Sequence, residues 1–219
     1  MKPSKSFLAM SLAVAASGFL LPDRAVAHPH VFVEANIEVV RDDDGNFTEV
    51  RQVWRFDELF STTVTIDYDE NVNGKLDQDE IEKVAAVVKE SIAEYDFYTA
   101  VRAGKDTVEF YEPEEIGAYF EGEKLIMFLT VELVEPVNSE NTPLRISASD
   151  TSYYVAFDFD NENVSVSANS AGCETSVVHP DFDSLYADNS QFLTESFFSD
   201  PQSTSIGDEF YSWATITCS

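Results

Sequence analysis

Apolar and polar residues alternate from Val31 to Val40, which puts Val31, Val33, Ala35, Ile37 and Val39 on one face of a strand. Asp42-Asp43-Asp44-Gly45-Asn46 reads as a turn, and Phe47 to Phe56 as the strand returning from it. The Asp run is read as a solvated hairpin tip and not as a cation site. Asp57 is placed to cap a helix carrying Leu59, Phe60 and Val64, although the β-branched run Thr62 to Ile66 works against one. The period then becomes helical: Ile81, Val84, Ala85, Val88, Ile92 and Tyr95 form one apolar stripe and predict a helix over 81–95. Beyond it, strands are predicted near Thr107–Tyr111, Ile116–Glu121, Leu125–Val134, Leu144–Ala148, Tyr153–Phe159 and Val164–Ala168, separated by short polar turns. Asp181 to Phe198 reads as weakly helical, and Phe210 to Cys218 as a closing strand. With no repeat and no long linker, the pattern predicts a single α+β domain. It is mainly antiparallel β-sheet, with one long helix.

The first 27 residues have a different pattern. Lys2 and Lys5 precede an uncharged stretch, Phe7 to Leu21, followed by Pro22-Asp23-Arg24 and Ala25-Val26-Ala27. This is the layout of a secretory signal peptide, and the apolar stretch is short for a membrane span, which needs about 20 residues. Residues 1–27 are therefore expected to be removed and 28–219 to form an exported domain, soluble and not embedded in a membrane. Charge sharpens the picture. The chain has 13 Lys+Arg against 41 Asp+Glu, and loss of Lys2, Lys5, Asp23 and Arg24 leaves 10 against 40, a net of −30. Such a surface repels phosphate backbones, so a nucleic-acid partner is excluded, and it suits cation binding or a salty medium. The two cysteines, Cys173 and Cys218, both fall in the exported part, where oxidation is permitted, and are expected to pair.

One segment carries recognisable cation chemistry. Asp69-Glu70-Asn71-Val72-Asn73-Gly74-Lys75-Leu76-Asp77-Gln78-Asp79-Glu80 follows the twelve-residue EF-hand pattern. Asp69, Asn71 and Asn73 supply side-chain oxygens at loop positions 1, 3 and 5, and Gly74 permits the bend at position 6. Lys75 offers its carbonyl, Asp77 acts directly or through water, and Glu80 brings a bidentate carboxylate at the start of the next helix. Two Asn in place of Asp, and no second loop to pair with, predict a structural Ca²⁺ site of weak affinity, roughly 10⁻⁴–10⁻³ M. The bland reading is an acidic helix start after an Asn-Gly turn.

The expected cleavage leaves His28-Pro29-His30 as the new N-terminus, holding two of the three histidines in the chain. A free α-amine beside the His28 imidazole, joined by His30, gives three nitrogens suited to copper, nickel, cobalt or zinc. Pro29 has no N–H to lose, so the familiar amino-terminal Cu/Ni chelate through deprotonated amides is ruled out. What remains resembles a copper-binding histidine brace; the bland reading is a frayed end with an accidental pair. His179 is a weaker third candidate, available only if the Cys173–Cys218 region packs near the first strand. No G-x-S-x-G, Walker loop, H-E-x-x-H or C-x-x-C occurs in residues 28–219.

Ala27-His28-Pro29-His30-Val31-Phe32-Val33, Trp54-Arg55-Phe56-Asp57-Glu58-Leu59-Phe60-Ser61, the 69–80 loop and the two late cysteines together resemble the exported family called domain of unknown function 1007. The resemblance implies the periplasmic component of a transport system, with a nickel/cobalt-type permease of the inner membrane as partner, and hence transition-metal handling. The sequence therefore predicts a periplasmic metal-binding accessory protein. It would capture or deliver a transition metal through His28 and His30 while the 69–80 loop holds Ca²⁺, without being an enzyme. The two rivals are a histidine-brace copper enzyme and a calcium-stabilised interaction module.

Overall fold

The computed structural model describes residues 29–140, 142–167, 170–181, 184–185 and 210–219. Eleven strands among them form two sheets around one core. The hairpin appears as expected, with β1 (Val31–Arg41) and β2 (Asn46–Phe56) antiparallel, Ala35 opposite Trp54 and Val39 opposite Val50. The alternating residues of β1 are all fully buried, each Val or Ile contributing on the order of 1.5–3 kcal/mol. After β2 come α1 (Glu58–Tyr68) and α2 (Gln78–Ile92). The β-branched run does not prevent α1. Asp57 caps it through Oδ1, which accepts the Phe60 N–H at 2.9 Å, and the Ser61, Thr63 and Thr65 hydroxyls donate to carbonyls four residues back.

α2 carries the expected stripe but ends earlier than predicted. A 3-10 turn, Ala93–Tyr98, replaces its last stretch, and Asp96, Phe97 and Tyr98 take φ near +50° in succession. Non-glycine residues adopt this left-handed geometry only when their surroundings impose it. Here Phe97 is buried, and Tyr98 is wedged among Trp54, Tyr95 and Phe157, with ring centroids 5.4–6.0 Å away. Burial pushes the Tyr98 phenol well above its ordinary range, reinforced by the charge of Asp150.

From that turn leads β3 (Thr99–Ala103), a strand the sequence pattern did not predict. The predicted strand Thr107–Tyr111 is divided. β4 (Asp106–Thr107) pairs with β3, whereas Phe110 bridges to Leu133 in the other sheet, so the chain crosses between sheets at this point. Next come β5 (Ile116–Glu121), β6 (Lys124–Asn138), β7 (Leu144–Ala148), β8 (Val155–Asp158) and β9 (Val164–Ser167). The chain closes with β10 (Cys173–Val178), also unpredicted, and β11 (Trp213–Cys218). The first sheet runs β5-β6-β2-β1-β8, with β9 joining the same edge of β1, and the second runs β10-β11-β7-β3-β4. Pairing is antiparallel except for β8 and β9, which add in parallel to β1. The expected α+β class, mainly antiparallel with one long helix, is what the chain adopts. The predicted helix 181–198 lies outside the described residues apart from Asp181, Ser184 and Leu185. Cys173 and Cys218 sit directly opposite each other on β10 and β11 and form the expected disulfide, closing a 45-residue separation.

A buried hydrogen-bond relay joins the sheets. The Trp54 indole donates to Gln52 Oε1 at 3.0 Å, Gln52 Nε2 donates to Thr99 Oγ1 at 2.7 Å, and Thr99 Oγ1 donates to the Phe97 carbonyl at 2.9 Å. Gln52 is only 1% exposed, so each of these groups depends on the others for its partner. Gln52→Leu is expected to lower stability by about 2–3 kcal/mol, because it strands the Trp54 N–H in the core and removes the donor to the Thr99 hydroxyl oxygen, which keeps only its own bond to the Phe97 carbonyl. Urea denaturation checks this through a lowered midpoint with an unchanged slope.

Candidate functional site

The start of the described chain is fixed before any ligand is considered. The His30 N–H donates to the Tyr154 carbonyl at 2.9 Å, just where β1 begins to pair with β8. The His30 ring is exposed and lies against Tyr154, centroids 5.0 Å apart and tilted by 43°. Two residues on, Asp57 holds the strand. Its Oδ2 accepts the Phe32 N–H at 2.9 Å, and its own N–H donates to the Phe32 carbonyl at 3.0 Å. One carboxylate thus caps α1 and anchors β1. Ser61 extends the anchorage, its hydroxyl accepting the Leu125 N–H at 2.9 Å. The Tyr154 segment is held by Asp150, a buried carboxylate that accepts from the Ser152 N–H and hydroxyl and from the Val155 N–H at 2.7–2.9 Å.

His28 lies outside the described residues. His179 is described and does not join His30. Its ring nitrogens sit 3.0 Å from Ser212 Oγ and 3.0 Å from Asp160 Oδ1, clasping the end of β10 to the turn after β8 and the approach to β11. Because β8 and β9 run parallel to β1, Asp160 lies level with about Asn36. That puts His179 roughly 20 Å from His30 along the strand, at about 3.3 Å per residue. The Cys173–Cys218 region does pack near the first strand, beside β9 and the 161–163 turn, but along its later half and not beside His30.

The 69–80 loop joins α1 to α2, with Asp69 ending the first helix and Asp77 preceding the second. Asp69 accepts the Asn73 N–H at 3.0 Å and the Gly74 N–H at 2.7 Å, and Gly74 makes the bend at φ +84°. Glu80 is 2% exposed and reaches back across the loop. Its Oε2 accepts the Asp77 N–H at 2.8 Å, the return half of a capping box, and its Oε1 accepts the Glu70 N–H at 2.9 Å. Asn71 Nδ2 lies between Glu80 Oε1 and Asp77 Oδ2, at 3.2 and 3.0 Å, and Asn73 Nδ2 lies 2.9 Å from Asp77 Oδ2. The Asn71 amide, aided by Lys75, holds the exposed Asp77 carboxyl below its ordinary range. Leu76 turns into the core and fixes the loop from beneath.

The side chains of Asn71, Asn73, Asp77 and Glu80 are therefore joined by hydrogen bonds while Asp69 is held to the main chain of the same loop, and the point between Asp77 and Glu80 already attracts the positive ends of dipoles. Rotating the two amides by 180° would replace these donors by oxygens, the donor chemistry of a hard cation. Among the described residues no three His, Cys, Asp or Glu side chains converge closely enough by themselves to hold a metal, so the asparagines and the Lys75 carbonyl are needed to complete this set.

The sequence profile of the family described as "Protein of unknown function (DUF1007)" matches residues 13–218. The chain belongs to that family. No curated protein matches the chain. The geometry also accounts for the motif that runs from Trp54 to Ser61. Trp54 feeds the buried relay, Asp57 anchors β1 and α1, and Ser61 ties α1 to β6. Tyr154 and Asp150 were not legible as partners of the His30 segment, because a parallel strand pairing between distant segments leaves no local signal.

Asp57→Ala is expected to cost about 1–2 kcal/mol through loss of the cap, and more than an ordinary cap because Phe32 is released as well. Hydrogen exchange should accelerate at both the Phe32 and Phe60 amides. Acceleration at Phe60 alone would show that Asp57 does not anchor the first strand.

Proposed function

We propose that this chain is an exported, periplasmic metal-handling accessory protein. His28 and His30 take an exchangeable transition ion, which the protein captures or delivers to an inner-membrane permease, and the 69–80 loop takes a structural Ca²⁺. The observation that carries the reading is the fixed, solvent-facing His30 at the head of a strand anchored by Asp57. A chelating end gains affinity when its ligands are held in place before the ion arrives. The amine and two imidazoles suit a borderline ion, and Pro29 keeps the intervening amide out of the coordination. Delivery to a permease rests on what the family resemblance implies. Export is supported by the leader-like residues 1–27 and by the disulfide. Among the described residues no helix is long and apolar enough to cross a membrane.

A second reading, a calcium-stabilised interaction module in which the histidines have no part, is favoured by the carboxylates and amides gathered in the 69–80 loop. The two readings separate in one experiment. The secreted protein is recovered, its first residue established as His28 by mass spectrometry, and Cu²⁺, Ni²⁺, Co²⁺ and Zn²⁺ are titrated. Acetylation of the α-amine and His30→Ala are each expected to weaken binding by about tenfold or more, while His179→Ala leaves it unchanged. Unchanged affinity after both changes at the N-terminus overturns transition-metal handling.

For the loop, calorimetric titration is expected to give a Ca²⁺ dissociation constant of roughly 10⁻⁴–10⁻³ M. Glu80→Gln should abolish the heat, since it removes the bidentate carboxylate. Binding retained in Glu80→Gln would overturn the calcium site.

A further inference from the structure

The outward face of the first sheet contains acidic residues of two kinds. Glu38 and Glu49 are matched by Arg51, at 3.2 and 3.0 Å, and Glu121 is matched by Arg55. Beside them Glu112, Glu114, Glu115 and Glu132 line a groove of about 550 Å³, and no Lys or Arg lines it with them. Among the described residues none of these four carboxylates is in an ion pair, and the four do not converge closely enough to chelate a metal. Lys89, whose Nζ reaches the Glu114 carbonyl, is a basic group at the margin, so the four carboxylates leave an excess of negative charge, and this arrangement suits a positive charge spread over several ångströms and not a point ion.

The groove is also aromatic and braced. Phe128 on β6 stands directly opposite Gly117 on β5, and its ring lies over the glycine so closely that a Cβ there would come within 2.0 Å of a ring carbon. Gly117 thus leaves room for a flat aromatic floor, 45% exposed, and Tyr111, 57% exposed, stands at the side. The wall between them is tied down at both ends. The Tyr111 N–H donates to the Glu132 carbonyl at 2.8 Å, and Lys89 Nζ of α2 donates to the Glu114 carbonyl at 2.6 Å. Aromatic faces ringed by carboxylates are the chemistry that receives guanidinium and ammonium groups, through cation–π attraction and charge-assisted hydrogen bonds.

We propose that this groove docks a basic, arginine- or lysine-bearing segment of a partner polypeptide. The site is independent of the proposed N-terminal metal cluster and of the 69–80 loop, and it gives so acidic a protein a place of specific attraction within a generally negative field. The aromatic floor distinguishes it from the rest of the acidic surface.

The test uses the protein from His28 to Ser219 and a fluorescently labelled, end-capped hexa-arginine peptide, followed by anisotropy. Binding is expected to weaken as salt rises from about 0.1 to about 1 M, over which the Debye length contracts from about 10 to about 3 Å. Phe128→Ala and Tyr111→Ala are each expected to weaken it roughly three- to fivefold. Tyr111 lies outside the core, so its variant remains informative if loss of Phe128 disturbs the sheet. Glu112→Gln with Glu132→Gln should weaken binding, whereas Asp44→Asn with Glu123→Gln, the same change of charge on exposed turns, should not. Absence of binding, affinity unchanged from the unsubstituted protein in both aromatic variants, or an equal loss from the turn substitutions would overturn the proposal.

Discussion

Gln52 must satisfy its amide inside the protein, and most of the architecture follows from how it does so. It sits on the hairpin strand β2, yet its donor reaches Thr99 in the other sheet, and its acceptor is taken by the Trp54 indole beside it. Thr99 passes the connection to the Phe97 carbonyl, inside a turn where three consecutive non-glycine residues hold positive φ. That backbone costs on the order of 1–3 kcal/mol per residue and persists only where the surroundings leave no alternative. The relay and the aromatic packing of Tyr98 supply that constraint. The strained turn in turn sets where β3 enters the second sheet, so one buried amide couples the register of both layers.

A second polar residue, Asp57, does for the candidate metal end what Gln52 does for the core. Its two oxygens divide between α1 and β1, and the strand that it anchors carries His30 out to the surface beside Tyr154. A histidine on a mobile segment is no more than an accidental ligand. Here it is attached to a sheet by main-chain hydrogen bonds on both sides of the anchor, which lowers the entropy that metal binding would have to remove. Helix cap, strand anchor and candidate site therefore stand or fall together.

The excess of negative charge is not distributed uniformly in its consequences. In the 69–80 loop, carboxylates are held by amide and main-chain donors, with Glu80 drawn almost completely out of solvent. On the outer face of the first sheet, some acids are paired with Arg51 and Arg55, while those of the Phe128 groove are in no ion pair and outnumber the ammonium of Lys89 at its margin. Composition alone treats these acids as one population. Their surroundings divide them into a set held by amide and main-chain donors, a neutralised set and a set facing solvent over an aromatic floor.

Local pattern was enough for the β1–β2 hairpin and the apolar stripe of α2, because each rests on spacings within a short stretch of chain; the disulfide followed from the chain having two cysteines, and the family from motifs spread along the sequence. It did not reveal β3 and β10, the early end of α2, the division of the predicted 107–111 strand, or the remoteness of His179 from His30. Those depend on what a segment meets across the fold. Thr99–Ala103 is a strand because β7 and the buried relay lie beside it, and Cys173–Val178 because β11 does. The parallel addition of β8 and β9 to β1 decided the neighbours of His30 and the distance to His179, since side-chain periodicity records which face a residue buries but not which strand will lie alongside it.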